Sequence, residues 1–183
     1  MIPRFFLIAL VALPCAAFAQ GAQKVDAAKS WIRFVTKQMN VPVEGRFRKF
    51  DASVAFDPAK PEATRAEFEV DLGSIDLGNA EGETEARRKL WLNTEAFPRA
   101  KFVASSVKQV APGKYEASGP LTIKATTQNI VAPFTLTDAP GARTVEGQFP
   151  LKRLQYRIGE GQWSDTDTVA DEVLVRFHFV ISR

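Results

Sequence analysis

Residues 65–72 read Arg-Ala-Glu-Phe-Glu-Val-Asp-Leu, and this stretch decides the fold class. Charged and apolar side chains alternate at every second residue, which is the period of a β-strand with one wet face and one buried face. The same alternation recurs in three later segments, at residues 115–124, 145–152 and 173–181. Helical spacing fits none of them, so the sequence predicts a protein built mainly from half-buried strands.

Weaker versions of the pattern cover residues 31–38, 100–109 and 130–136. A further segment, 45–56, changes phase, because Phe47 falls on odd parity whereas Phe50, Val54 and Phe56 fall on even parity. A bulge between Phe47 and Phe50 would bring all four onto one face. Turn signals rich in Pro, Gly and Asp separate the runs, at residues 57–58, 111–114 and 138–141. Together these segments predict about eight strands.

One stretch interrupts the strand pattern. Residues 83–92 are rich in helix formers, with acidic side chains first and basic ones later, as the helix dipole favours. Pro98 excludes a continuation and favours an extended Phe97. The sequence therefore predicts an all-β fold, an eight-stranded antiparallel barrel with one short helix between two of its strands.

The residues that face the predicted interior mix large and small side chains. Small ones such as Gly45, Ala117, Gly119, Ala132 and Gly147 would leave room for one elongated apolar ligand. The alternative, in which small and large residues interdigitate to fill the barrel completely, stays open.

Composition narrows the function classes. The 183 residues carry 24 Lys and Arg against 21 Asp and Glu, a formal net charge of +3, with one His and one Cys. So few imidazole and thiol groups exclude most metal sites and most general-base chemistry, and the sequence predicts no catalytic residue, no metal site and no cofactor. No phosphate-binding glycine loop is present, and the scattered acids argue against a nucleic-acid surface.

The N-terminus has the form of an export signal. Arg4 precedes an apolar run over residues 5–13, and Ala17-Phe18-Ala19 supplies a small-x-small cleavage site. The sequence predicts a signal peptide over residues 1–19, cleaved after Ala19, and one exported domain over residues 20–183. A lipoprotein signal acylated at Cys15 is disfavoured, because Pro14 precedes the cysteine where a small residue is needed.

Several segments resemble the YceI-like family. Three of them read Ser30-Trp31-Ile32-Arg33-Phe34, Gly119-Pro120-Leu121-Thr122-Ile123-Lys124 and Arg157-Ile158-Gly159-Glu160-Gly161-Gln162-Trp163, and others lie at residues 43–50, 90–98 and 100–102. The resemblance spans essentially the whole mature chain in the expected order. One departure is Ala125, where family members usually have Gly, so a different turn geometry is expected there.

The resemblance implies a periplasmic protein with a lipocalin-like barrel whose lumen binds a polyisoprenoid chain, either an isoprenoid quinone or a polyprenyl lipid. The predicted role is that of a carrier or reservoir. An enzyme or accessory module that acts on quinone or lipid beside a membrane cytochrome stays open as an alternative, as does a homodimer. The residues predicted to contact the ligand are Phe34, Phe47, Phe68, Phe97, Phe102, Leu121, Phe134, Phe149, Trp163, Phe177 and Phe179, and Trp91, Phe97 and Trp163 are expected to close the mouth.

Three polar features have two interpretations each. The basic run over residues 46–50 is either an ordinary outward strand face or a contact for anionic lipid head groups. His178 is expected to be an ordinary surface residue, and the alternative is a pH-sensitive or head-group role. The acids between Asp165 and Glu172 indicate a solvated loop instead of a calcium site, because Ala170 stands where an EF-hand loop needs Gly.

Overall fold

Antiparallel strands make up most of the chain in the computed structural model, which describes residues 23–182. The predicted signal peptide lies outside these residues. The described part contains one α-helix, α1 (Ala80–Arg87), and eleven strands. The strands are β1 (Trp31–Gln38), β2 (Val41–Phe47), β3 (Phe50–Ala55), β4 (Arg65–Asp71), β5 (Ile75–Asp76), β6 (Arg99–Val103), β7 (Ser106–Ala111), β8 (Lys114–Ile123), β9 (Thr126–Ala139), β10 (Ala142–Lys152) and β11 (Glu172–Ser182).

All eleven strands belong to one sheet that curls around an apolar interior. Its hydrogen-bonded order is β3-β4-β6-β8-β9-β10-β11-β1-β2-β5, and β7 also pairs with β8. β3 stands at one end of this order and β2 next to the other end. Only Arg48 and Lys49 separate the two strands in the chain, so a short connection joins the two ends of the sheet. Isolated bridges join Gln23 to Val54 and Val25 to Ile181, which ties the N-terminal segment across the same seam.

The prediction of eight strands is wrong, since the described chain has eleven. Two of the expected strands are divided, and one further strand, β5, lies outside the expected ones. The segment over residues 45–56 is split by Arg48 and Lys49, at the place where its parity changes, and β4 is followed by a 3₁₀ turn, Leu72–Ser74, before β5. Residues 104–105 likewise divide the segment over 100–109 into β6 and β7, both of which pair with β8. Such kinks let long strands bend around a curled sheet.

The helix is also displaced from its predicted span of 83–92. It begins at Ala80 because the Asn79 side chain accepts a hydrogen bond of 2.7 Å from the amide of Gly82 and so caps the N-terminus. It ends at Arg87, and residues 88–97 continue as turns in which Asn93 takes a positive φ of 49°. Within residues 23–182, no helix has the length and apolar character needed to cross a bilayer.

The hairpin between β8 and β9 turns through Lys124 and Ala125 alone. Both residues have positive φ, 48° and 59°, as a two-residue hairpin turn of type I′ requires. Ala125 therefore adopts the left-handed conformation that glycine reaches without strain, at a cost of about 1 kcal/mol. The backbone of this turn therefore accepts the strain of a left-handed alanine.

The interior contains two apolar clusters, one toward each end of the curled sheet. The upper end carries α1, residues 88–98, the β8–β9 turn and residues 153–171, and its cluster includes Leu72, Leu92, Leu121 and Tyr156. The lower end carries Phe56, Tyr115, Phe179 and Ile181. Phe47, Val70, Phe102, Val175 and Phe177 pack against both clusters and so connect the two ends.

Candidate functional site

The curled sheet encloses a cavity of about 430 Å³, which we call the lumen. Its wall is formed almost entirely by apolar side chains from the inward face of the strands. Ten of the eleven residues that the sequence assigns to ligand contact lie in this wall, namely Phe34, Phe47, Phe68, Phe102, Leu121, Phe134, Phe149, Trp163, Phe177 and Phe179. The alternation of the sequence thus identifies nine of the ten, since Trp163 lies in the 3₁₀ turn Gly161–Ser164, and ligand contact itself stays a prediction.

Phe97 is the exception, because it is not among the lining residues. Its amide donates a 2.9 Å hydrogen bond to the carbonyl oxygen of Asn93, which fixes it in the turn that precedes Pro98. Phe97 lies outside every strand, and in a turn the alternation of side chains does not determine which way a residue faces. Trp91 and Trp163, the other two expected mouth residues, do line the lumen.

Small inward residues contribute to the lumen in two different ways. Ala100, Ala104, Ala117 and Ala132 line it directly. The glycines do not leave free volume, because a Cβ added at Gly45 would meet Phe34 Cζ at 2.3 Å and one at Gly147 would meet Phe177 Cζ at 2.4 Å. The alanines therefore leave the space that a ligand could use, and the glycines admit neighbouring aromatic rings.

Aromatic rings seal the lower end of the lumen. The Phe56 ring packs edge-on against those of Tyr115 and Phe134, with ring centroids 5.5 and 6.3 Å apart, and the Tyr115 and Phe134 rings stack at 5.3 Å. Thr64 also lines this wall, and its buried hydroxyl has no hydrogen-bond partner in the described residues. Such rings exclude water by packing and need no polar network.

The upper end is covered by two chain segments, residues 88–98 and residues 153–171, which we call the cover. They are joined by hydrogen bonds of 2.8 Å from the amides of Gly159 and Glu160 to the carbonyl oxygen of Leu90. The rings of Trp91 and Trp163 meet at 5.4 Å, one from each segment. Both indole N–H groups are buried without a partner in residues 23–182, which costs about 1–3 kcal/mol for each buried donor.

Arg153 organises the cover from inside, and it is a residue that the sequence did not single out. It is only 1% exposed, and its guanidinium donates to the carbonyl oxygens of Ile158, Gly159, Asp165, Val169 and Ala170 at 2.7–3.5 Å. Burial lowers its pKa, and the charges of Asp171 and Asp165 partly offset that effect. One cation thus holds the loop over residues 153–171 in place.

Tyr156 lies beside Arg153 in the same short 3₁₀ turn and is equally buried, at 1% exposure. Its hydroxyl has no hydrogen-bond partner in the described chain. Burial raises the pKa of Tyr156 to about 12, so the phenol stays neutral near physiological pH. It contributes packing and no titratable function.

Lys124 connects the β8–β9 turn to both segments of the cover. Its ammonium group donates to the carbonyl oxygens of Lys89 and Arg157 and forms an ion pair of 3.1 Å with Glu160. The Lys124 side chain is only 4% exposed. Hydrogen bonds from Lys124 and Arg157 lower the pKa of Glu160, which therefore stays ionised in the folded protein.

The polar candidates outside the lumen have local structural partners. His178 Nδ1 lies 2.8 Å from a carboxylate oxygen of Glu146, and the His178 ring stacks on Trp31. Asp165 accepts hydrogen bonds from the Thr168 hydroxyl and the Asp167 amide, which shape the loop. Within residues 23–182, no group of three or more His, Cys, Asp or Glu side chains could hold a metal ion.

The sequence of this chain is similar to a known family and to curated proteins. A family model described as YceI-like domain matches residues 23–181. A UPF0312 protein of Shewanella denitrificans is 37% identical over 118 residues, which cover 64% of this chain and 56% of that protein. The alignments span about half the length of the first curated relatives, 45% and 56% in the first two.

Solved structures share the fold. The crystal structure of BcnA from Burkholderia cenocepacia superposes with a TM-score of 0.84 at 41% identity and covers 86% of this chain and 99% of its own. A polyisoprenoid-binding domain from Saccharophagus degradans superposes with a TM-score of 0.70, covering 89% of this chain and 98% of its own. The second likeness, at 16% identity, concerns the fold alone.

Proposed function

Because this chain belongs to the YceI-like family, which its match over residues 23–181 shows, we propose that it binds a polyisoprenoid chain in its lumen. The protein acts as a carrier or reservoir for an isoprenoid quinone or a polyprenyl lipid. The fold relative from Saccharophagus degradans, described as a polyisoprenoid-binding domain, supports this ligand class. The signal-like residues 1–19 support a periplasmic location.

The single observation that carries the proposal is the apolar lumen. Its volume of about 430 Å³ falls within the range of small-molecule sites, and its wall offers aromatic and aliphatic surface along the whole length of the sheet. Burying one methylene group is worth about 0.8 kcal/mol, so ten enclosed carbons contribute roughly 8 kcal/mol before the costs of ordering. Binding of this kind needs no catalytic group.

The proposed contacts are the ten aromatic and aliphatic wall residues already placed in the lumen, together with Trp91. The isoprenoid tail runs along the lumen toward the aromatic seal at the lower end. The polar end of the ligand stays near the cover, where the buried cations Arg153 and Lys124 lie.

A substitution that fills the lumen tests the proposal. Ala132 is 5% exposed and lines the lumen, whereas its neighbour Val131 is 53% exposed on the outer face. Ala132→Phe adds a ring to the space that the ligand occupies and should weaken binding of a fluorescent isoprenoid quinone analogue at least tenfold. Val131→Phe is the matched control and should bind as the unmodified protein does. Equal binding by both variants, with both folded by circular dichroism, would show that the ligand lies elsewhere.

A further inference from the structure

A row of three arginines crosses the outer face of the sheet. Arg33 on β1 lies directly opposite Arg46 on β2 and directly opposite Arg176 on β11, and Arg176 in turn faces Gln148 on β10. All three arginines are exposed. Side chains directly opposite each other in an antiparallel sheet have Cβ atoms about 5 Å apart, and like charges there are destabilising.

Only one of the three arginines is neutralised within the described chain. Arg46 forms a 2.7 Å ion pair with Asp76, whose pKa is lowered by its hydrogen bonds to Arg48 and Arg46. The Arg33 guanidinium packs over the Trp31 ring, 4.5 Å from its centroid, and has no carboxylate partner in residues 23–182. The same part of the chain supplies no ion pair to Arg176. Two adjacent guanidinium groups therefore keep their donors free on this face.

The surface beside the row is amphipathic. On one side Trp31 stacks on His178 at 5.5 Å, and His178 is paired with Glu146. On the other side Val35 lies opposite Leu174, and both are half-buried on the outer face. The nearest unpaired acid across the strands is Glu44, opposite Val35 and two positions from Arg46. The face thus combines uncompensated arginines with an indole and an aliphatic pair.

We propose that this face, defined by Trp31, Arg33, Val35, Leu174 and Arg176, docks on an anionic lipid surface. Guanidinium groups bind phosphate oxygens in a bidentate manner, and tryptophan favours the zone between head groups and acyl chains. The exposed parts of Val35 and Leu174 gain from the same zone. An acidic protein is the competing partner, because tryptophan and arginine also occur at protein interfaces, and vesicle binding distinguishes the two.

The proposal goes beyond lumen binding and does not depend on it, because it needs only the exposed guanidinium groups of Arg33 and Arg176, which alternate along their strands with the lumen residues Phe34 and Phe177. A docked protein would lie with β1 and β11 against the membrane, and these strands also supply Phe34 and Phe177 to the lumen wall. The face is therefore one sheet layer away from the ligand site.

Vesicle sedimentation tests the proposal with the full mature chain. Vesicles of phosphatidylcholine mixed with phosphatidylglycerol should bind the protein, and vesicles of phosphatidylcholine alone should bind it much more weakly. Each basic residue near an anionic surface contributes about 1 kcal/mol, so the double variant Arg33→Gln, Arg176→Gln should lose about thirty-fold in binding. Added salt should weaken binding of the unmodified protein, since it screens these charges.

A charge-matched control separates this face from general basicity. Lys108→Gln, Lys114→Gln removes the same charge from exposed positions on β7 and β8 and should keep nearly all of the binding. Equal losses in the two double variants, or an unmodified protein that ignores phosphatidylglycerol, would overturn the proposal. In the second case, binding to an acidic protein instead would assign the arginines to a protein partner. Uptake of the quinone analogue, measured on the same samples, reports separately on the lumen.

Discussion

The two ends of the lumen are closed by different physics. At the lower end the rings of Phe56, Tyr115 and Phe134 pack edge to face and face to face, so closure comes from apolar burial within the sheet. At the upper end the closure is polar, because Arg153 and Lys124 hold two loop segments over the opening through carbonyl oxygens and one carboxylate. The lower end is closed by apolar packing, and the upper end adds a polar network to the packing of Leu92 and Tyr156.

This difference bears on ligand entry. The upper cover leaves the indole N–H groups of Trp91 and Trp163 unpartnered among the described residues, and opening it would expose these donors to water. The lower seal buries one unpartnered hydroxyl, that of Thr64, but opening it would expose the aromatic rings of Phe56, Tyr115 and Phe134 to water. We therefore expect a ligand to enter from the upper end.

The largest effect is expected at Arg153. Arg153→Met leaves five carbonyl oxygens without their buried donor and should lower the free energy of unfolding by about 3 kcal/mol. The matched control is Arg157→Met, because the Arg157 side chain is 69% exposed and should cost about 0.5 kcal/mol. Urea unfolding measures both. A loss at Arg153 no greater than that at Arg157 would mean that the guanidinium does not hold the cover.

A smaller loss is expected at the lower seal. Phe56→Leu removes two edge-on aromatic contacts from a side chain that is 5% exposed, and should cost about 1.5 kcal/mol of unfolding free energy. Hydrogen exchange at the amides of Gly159 and Glu160 in the cover should stay unchanged. If those amides exchanged faster in this variant, the two ends would have to be treated as one cooperative unit.

Acid should loosen the upper end before the lower end. The pKa of Glu160 is lowered in the folded protein. Its ion pair with Lys124 therefore stabilises the fold fully above the pH range in which an ordinary Glu titrates, and this stability is lost as the pH falls through the folded pKa. Below about pH 4, where carboxylates begin to protonate, exchange protection of the Gly159 and Glu160 amides should fall. The Leu136 amide, bonded to Gly113 at the lower end, serves as the internal reference. Parallel loss at all three amides would argue against an acid-sensitive cover.

The smallest effect is expected in the β8–β9 turn. Ala125→Gly relieves a left-handed alanine with φ of 59° but enlarges the freedom of the unfolded chain, so the net gain should be below about 1 kcal/mol. Ala63→Gly, at an exposed position outside the left-handed region, should instead cost a few tenths to about 1 kcal/mol. Thermal unfolding compares the two. A destabilising Ala125→Gly would show that the turn carries no strain.

The sequence predicts the lower part of the lumen far better than the cover. Strand period alone placed Phe68, Phe134 and Phe179 in the wall, because side-chain direction in a sheet depends on parity and not on distant partners. Arg153 and Lys124 look like ordinary surface residues in sequence. Their burial depends on segments far along the chain meeting over the opening, and no local pattern reports such a meeting.

The same reasoning explains the errors in strand count and in the position of the helix. Parity detected the kink between Phe47 and Phe50 but could not show that it divides one bent strand into two hydrogen-bonded ladders. The helix began early because the Asn79 side chain caps it, and this capping signal lies outside the run of helix formers that defined the predicted span.

Native mass spectrometry of the mature protein, purified from its own cells without detergent, tests lumen binding most directly. We expect an additional mass that matches an isoprenoid lipid or quinone and that is lost when the chain unfolds. A folded protein that emerges empty, and that stays empty after incubation with an isoprenoid quinone, would contradict it.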